Sequence, residues 1–157
     1  MKFILKTMVV FTALLFFSCE NEDPKPAIVG TYTGKSDRHS KRLTEIFISP
    51  TQSKMEWVKD STFQQPAVLE VKAFSKDSFK LVGDFAKSLP PGWATYGFSE
   101  ATGTDKLVFK RNFGLPGYFS QEITLAFDPT DSTLKIDYHS SSTTPQSDVL
   151  SHFEGKK

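Results

Sequence analysis

From Ile28 to the end of the chain, apolar and polar residues alternate in short runs, and no long segment keeps the 3.6-residue spacing of an amphipathic helix. The runs are rich in Phe, Val, Ile, Thr and Tyr and are bounded by Gly, Pro, Asp or Ser. This predicts strands over 28–36, 42–50, 54–60, 67–74, 77–83, 93–101, 105–113, 119–128, 133–140 and 148–155. Strand side chains point alternately to the two faces, so Ile46 with Ile48, Met55 with Trp57, Leu69 with Val71, and Phe79 with Leu81 each share a face. The same holds for Leu107 with Phe109, for Ile123, Leu125 and Phe127, and for Leu134, Ile136 and Tyr138. Ser75, Lys76 and Asp77 form one turn and Asp128 to Ser132 another, which makes the neighbouring strands antiparallel. The expected fold class is all-β: an antiparallel up-and-down β-barrel of about 8–10 strands, since a closed sheet leaves no edge exposed. A two-sheet β-sandwich is the alternative.

The start of the chain follows a different pattern. Lys2 and Lys6 precede an uncharged run from Thr7 to Phe17, and Ser18 and Cys19 follow it. That run is shorter than the roughly 20 apolar residues a membrane-spanning helix needs, and it reads as a secretory leader. The segment Leu15, Phe16, Phe17, Ser18, Cys19 resembles the lipobox of bacterial lipoproteins. The resemblance implies that residues 1–18 are a signal peptide cut away before Cys19, and that the Cys19 thiol carries a diacylglycerol and its new amino group an acyl chain such as palmitate. Two or three acyl chains hold a soluble domain on a membrane durably, where one does not. Residues 19–27 then form the lipidated cysteine and a flexible tether, and residues 28–157 a single domain. Glu20 stands where an inner-membrane retention signal would carry Asp, so the resemblance places the protein at the outer membrane. The acidic Glu20, Glu22 and Asp23 leave the periplasmic face and the cell surface both open.

The two ends of the domain carry a second resemblance. The first strand opens Gly30, Thr31, Tyr32, and the last closes Phe153, Glu154, Gly155, Lys156, Lys157. This pairing is similar to the lipocalin-like (calycin-like) β-barrel lipoproteins of Bacteroidota. It implies that Tyr32 is the aromatic closing one end of the barrel and that Lys156 or Lys157 is the basic residue lying across it.

Composition narrows the chemistry. Lys plus Arg number 19 against 18 for Asp plus Glu, and the net charge of +1 offers no field to draw in nucleic acid. A single cysteine allows neither an internal disulfide nor a thiolate zinc cluster. Asp137 and His139 share a face of one strand, alternating with Ile136 and Tyr138, and so point to solvent with no further ligands; no metal site is expected. Gly97, Phe98, Ser99, Glu100, Ala101 lacks the last glycine of a nucleophile elbow. No catalytic residues and no cofactor are assigned, and the protein is expected not to be an enzyme. Gly34 to Arg42 gathers Lys35, Arg38, Lys41 and Arg42 in what reads as a basic hairpin loop. Asp60, Ser61, Thr62 and Asp131, Ser132, Thr133 resemble the acceptor of the Bacteroidota O-glycosylation system, with Ser61 and Ser132 as the sites, and both read as turns.

The aromatic residues are the richest set. Trp57, Tyr96, Phe98 and Phe109 are candidates to line a small apolar ligand cavity, with Trp93, just after Pro90, Pro91 and Gly92, at its mouth. Two functions follow. One is an outer-membrane-anchored lipoprotein binding a small hydrophobic ligand. The other is a non-enzymatic accessory or structural lipoprotein with a packed barrel, whose loops bind a partner protein or glycan. An apolar void of about 300–1,000 Å³ favours the first and a dense interior the second.

Overall fold

The computed structural model describes residues 27–157, with every side chain among them except those at positions 62 and 63. The leader, Cys19 and the tether up to residue 26 lie outside the described residues. Eight strands make one antiparallel sheet: β1 (Gly30–Ser49), β2 (Gln52–Ser75), β3 (Ser78–Val82), β4 (Thr95–Gly97), β5 (Leu107–Leu115), β6 (Phe119–Asp128), β7 (Thr133–Thr143) and β8 (Gln146–Lys156). One short helix, α1 (Asp84–Lys87), lies between β3 and β4. The order β4-β3-β2-β1-β8-β7-β6-β5 is an up-and-down meander whose first strand pairs with its last, giving a nearly closed barrel.

Ten expected strands become eight because two breaks are not breaks. The basic run Gly34–Arg42, read above as a loop, is extended and paired on both sides: Lys35 faces Pro66 and Glu154, and Lys41 faces Lys59 and Asp148. Asp60, Ser61 and Thr62, read as a turn, sit inside β2 opposite Ser40, His39 and Arg38. Both segments are polar on their two faces, so they show no alternation, and ladder hydrogen bonds with exposed polar pairs such as His39–Ser61 and Lys41–Asp148 keep them extended. The one irregularity in this stretch is a bulge, where positions 63 and 64 of β2 span the single residue Asp37 of β1.

The core fills one end of the barrel. Tyr32, Leu69, Phe79, Phe109, Ile123, Leu125, Leu134, Ile136 and Phe153 have no solvent exposure. Burying each side chain of this kind contributes about 1.5–3 kcal/mol. Gly34 and Gly155 face each other across β1 and β8, where a Cβ on Gly34 would strike the Glu154 carbonyl and the Gly155 backbone. The Phe153 ring lies over Gly155, and Phe85 of α1 packs on Phe153 with ring centroids 6.0 Å apart.

The other end is open. β8 accompanies β1 only as far as Arg42, opposite Ser147, and β3 accompanies β2 only from Glu70 onward. The ribbon from Leu43 to Trp57 therefore projects as a two-stranded arm, in which, among the described residues, each strand pairs only with the other.

Candidate functional site

The aromatic residues proposed for a cavity do not come together as one. Tyr96 and Phe109 are fully buried, and with the partly buried Phe98 they surround Phe79 at centroid distances of 5.5, 5.1 and 5.3 Å. These rings pack on one another. Trp57, expected to line the interior with them, stands apart on the arm opposite Leu43, where it and Met55 are both exposed. Trp93, held by its N–H to the Pro90 carbonyl, packs edge-on against Tyr138 at 6.2 Å. It closes the filled half of the barrel at the last large apolar residue on the inner face of β7.

The expected barrel-end residues lie where the chain enters. Tyr32 donates its hydroxyl to the Ile28 carbonyl at 2.6 Å and meets Phe127 edge-on, and burial raises its pKa far above the usual phenol value. Lys157, not Lys156, passes over Gly30 and donates to the Ala27 carbonyl, while Lys156 pairs with Asp131 in the β6–β7 turn. Ser132 lies in that turn, as the sequence predicts, and takes a positive φ of 56°, whereas Ser61 lies within a strand and hydrogen-bonds His39 at 3.1 Å.

The pentapeptide resembling a nucleophile elbow closes the barrel seam instead. Phe98 to Glu100 form a single 3₁₀ turn whose Gly97 N–H donates to Glu100 Oε1 at 2.8 Å. Arg111 of β5 crosses the gap, donates both Nε and Nη2 to Glu100 and Nη1 to the Gly92 carbonyl, and stacks over Tyr96 at 4.4 Å. Burial pushes the Glu100 carboxyl up, but the hydrogen bonds from Arg111 and Gly97 outweigh it and hold it below the usual carboxylate range. Tyr96, beneath the guanidinium, is pushed up to about 12 by burial, and its hydroxyl has no hydrogen-bond partner among the described residues.

The histidines lie together on the outer face, though not as one strand's spacing implied. Asp137 pairs across the ladder with His152 at 2.7 Å, and His139 with Asp148 at 2.7 Å. Asp148 also takes Lys41 at 3.2 Å, and Lys41 sits 5.7 Å from the centre of the Trp57 ring. The His139 hydrogen bond, then Lys41, holds the Asp148 carboxyl low. No group of three metal-ligating side chains occurs among the described residues.

Two grooves border the open end. One, of about 490 Å³, runs between Lys41, Trp57, Tyr118, Phe119, His139 and Asp148. The other, of about 630 Å³, is lined by Arg38, Lys41, Arg42, Val58, Asp60 and Val149; along β1, alternation sets Arg38 and Arg42 on one face and Lys35 and Lys41 on the other. Sequence reasoning missed Tyr118, Phe113, Leu115, Phe47 and Ile48 as surface residues; all are exposed by more than half. The available signal was their position beside turns at strand ends, where no core remains to cover them. Comparison with protein families, curated proteins and solved structures finds no match to the chain.

Proposed function

We propose that this chain is a lipid-anchored, non-enzymatic binding protein of the outer membrane, whose filled barrel end serves as a pedestal and whose open end receives a partner protein or glycan. The observation that carries this reading is the distribution of large apolar side chains. At one end the rings pack against each other, while Phe47, Met55, Trp57, Phe113, Leu115 and Tyr118 stand exposed on the arm and on the neighbouring β5–β6 hairpin. Clustered exposed apolar groups rimmed by polar ones are the ordinary mark of an interaction surface. The rival reading, a small apolar ligand inside the barrel, meets rings of Phe79, Tyr96 and Phe109 packed together at the filled end and a lining of Arg38, Arg42 and Asp60 in the groove of about 630 Å³ at the open one.

Three measurements on the full chain test the reading. Tryptophan emission should not respond to palmitate, retinol or haem, and saturable quenching by any of them would restore the ligand-binding reading. Cys19→Ser should move the protein from the membrane to the soluble fraction, and retention in the membrane would remove the anchor. A photo-reactive side chain at Tyr118, introduced in the living host, should give a discrete heavier adduct that the same group at Lys76 does not. No adduct, or equal adducts at both positions, would remove the partner.

A further inference from the structure

Backbone N–H and C=O groups along a sheet edge seek partners, and proteins normally shorten, cover or break such edges. β2 does none of these between Gln52 and Thr62. It has β1 on one side and, among the described residues, no strand on the other, since β3 joins it only at Glu70. The first proline of β2 is Pro66 and its own bulge lies at 63 and 64; the pairing also shifts register at the arm tip, but there the extra residue is Ile48 of β1, between Phe47 opposite Ser53 and Ser49 opposite Gln52, so β2 itself runs unbroken over 52–62. The middle of that edge is Trp57.

We propose that this edge pairs with itself: two copies of the chain align antiparallel over 52–62 about a two-fold axis at Trp57, joining two barrels through one continuous sheet. Charge selects the register. With Trp57 on the axis, Lys54 of each copy faces Asp60 of the other, Lys59 faces Met55, and Glu56 faces Val58, so no like charges meet. Sliding the axis to Val58 sets Glu56 against Asp60, and moving it to Lys59 or Asp60 sets that charge against itself. Moving it to Met55 or Glu56 shortens the overlap. The centred register thus keeps the whole regular edge, gains two ion pairs and brings Trp57 against its own copy. It would add about ten backbone hydrogen bonds. A self-matching edge of this kind is the isologous interface a two-fold dimer requires. The inference needs neither the lipid anchor nor the outside partner proposed above, and it stands if both fail.

Sedimentation equilibrium of the full chain in density-matched detergent should show a concentration-dependent dimer. Lys54→Glu and Asp60→Lys should each weaken it about tenfold, by placing like charges opposite at two symmetric positions, and the double variant should recover it. Under mild oxidation Trp57→Cys should give a disulfide between two copies of the peptide carrying the substitution. Met55→Cys and Lys59→Cys should cross-link only when combined. A monomer at all concentrations overturns the proposal, including one that binds an extended peptide of another protein along the same edge. So does a dimer indifferent to both charge reversals, or one cross-linked through Met55→Cys alone.

Discussion

Tyr138 and Ser140 are two residues apart on the same face of β7, yet they belong to different halves of the molecule. Tyr138 is nearly buried and covered by Trp93, the last ring of a continuous core. From Ser140 onward the same face carries Ser142 on β7, and Ser147 and Val149 on β8, beside Ser40 and Arg42 on β1. Below this line stability comes from packing; above it the strands are held by ladder hydrogen bonds and exposed polar pairs. The division teaches that the barrel's length and its core's length are separate quantities. The excess of one over the other is what leaves an arm and an edge for recognition.

The strongest way to break this comparison is to remove a ring from each half. Phe109→Ala opens a cavity among Phe79, Tyr96 and Phe109 and should cost about 3–5 kcal/mol. Trp57→Ala removes a larger side chain and should cost less than about 1 kcal/mol, because the ring it removes is 39% exposed. Urea denaturation of both variants compares them directly. Equal losses would show that the arm is structurally part of the core.

A smaller effect is expected at the seam. Glu100→Gln keeps the shape but weakens the charge-assisted bonds to Arg111, and with solvent reaching the pair the loss should be about 1 kcal/mol at neutral pH. The folded pKa of Glu100 is depressed, so its contribution is present above the unfolded value, about 4.3 for glutamate, and is lost as pH falls through the folded value. The stability difference between wild type and Glu100→Gln should therefore close on acidification. A difference that stays constant from pH 7 to pH 3 would mean the carboxylate charge is not what holds the seam.

The legible parts of the fold are those where one face is buried. Ile123, Leu125 and Phe127, then Leu134 and Ile136, alternate with polar residues and are all buried, and β6 spans the residues its pattern predicts. Residues 37–41 and 61–66 gave no such signal because the described side chains on both of their faces meet water, and four expected strands merged into two there. The site was less legible still. Asp137 with His152, His139 with Asp148, and Glu100 with Arg111 are contacts set by strand register and barrel closure, which spacing along one strand cannot show. Trp57 was read for its size, whereas its position beyond the end of β8 decides its environment.

The smallest predicted effect sharpens the boundary between the two halves. Lys41 of β1 reaches from the barrel wall to the arm on the outer face, holding Asp148 of β8 at 3.2 Å while lying over the Trp57 ring of β2. Both contacts are exposed, and a cation over an exposed ring or in a surface ion pair contributes about 0.5 kcal/mol. Lys41→Met should therefore leave global stability almost unchanged. Its effect should appear at the base of the arm: in a Trp93→Phe background, where Trp57 is the only tryptophan, the variant should raise acrylamide quenching of Trp57. High salt should do the same to the parent, because it screens the cation's exposed contacts. If neither Lys41→Met nor salt changes the quenching, the arm is held by its backbone ladder alone and Lys41 does not join the two halves.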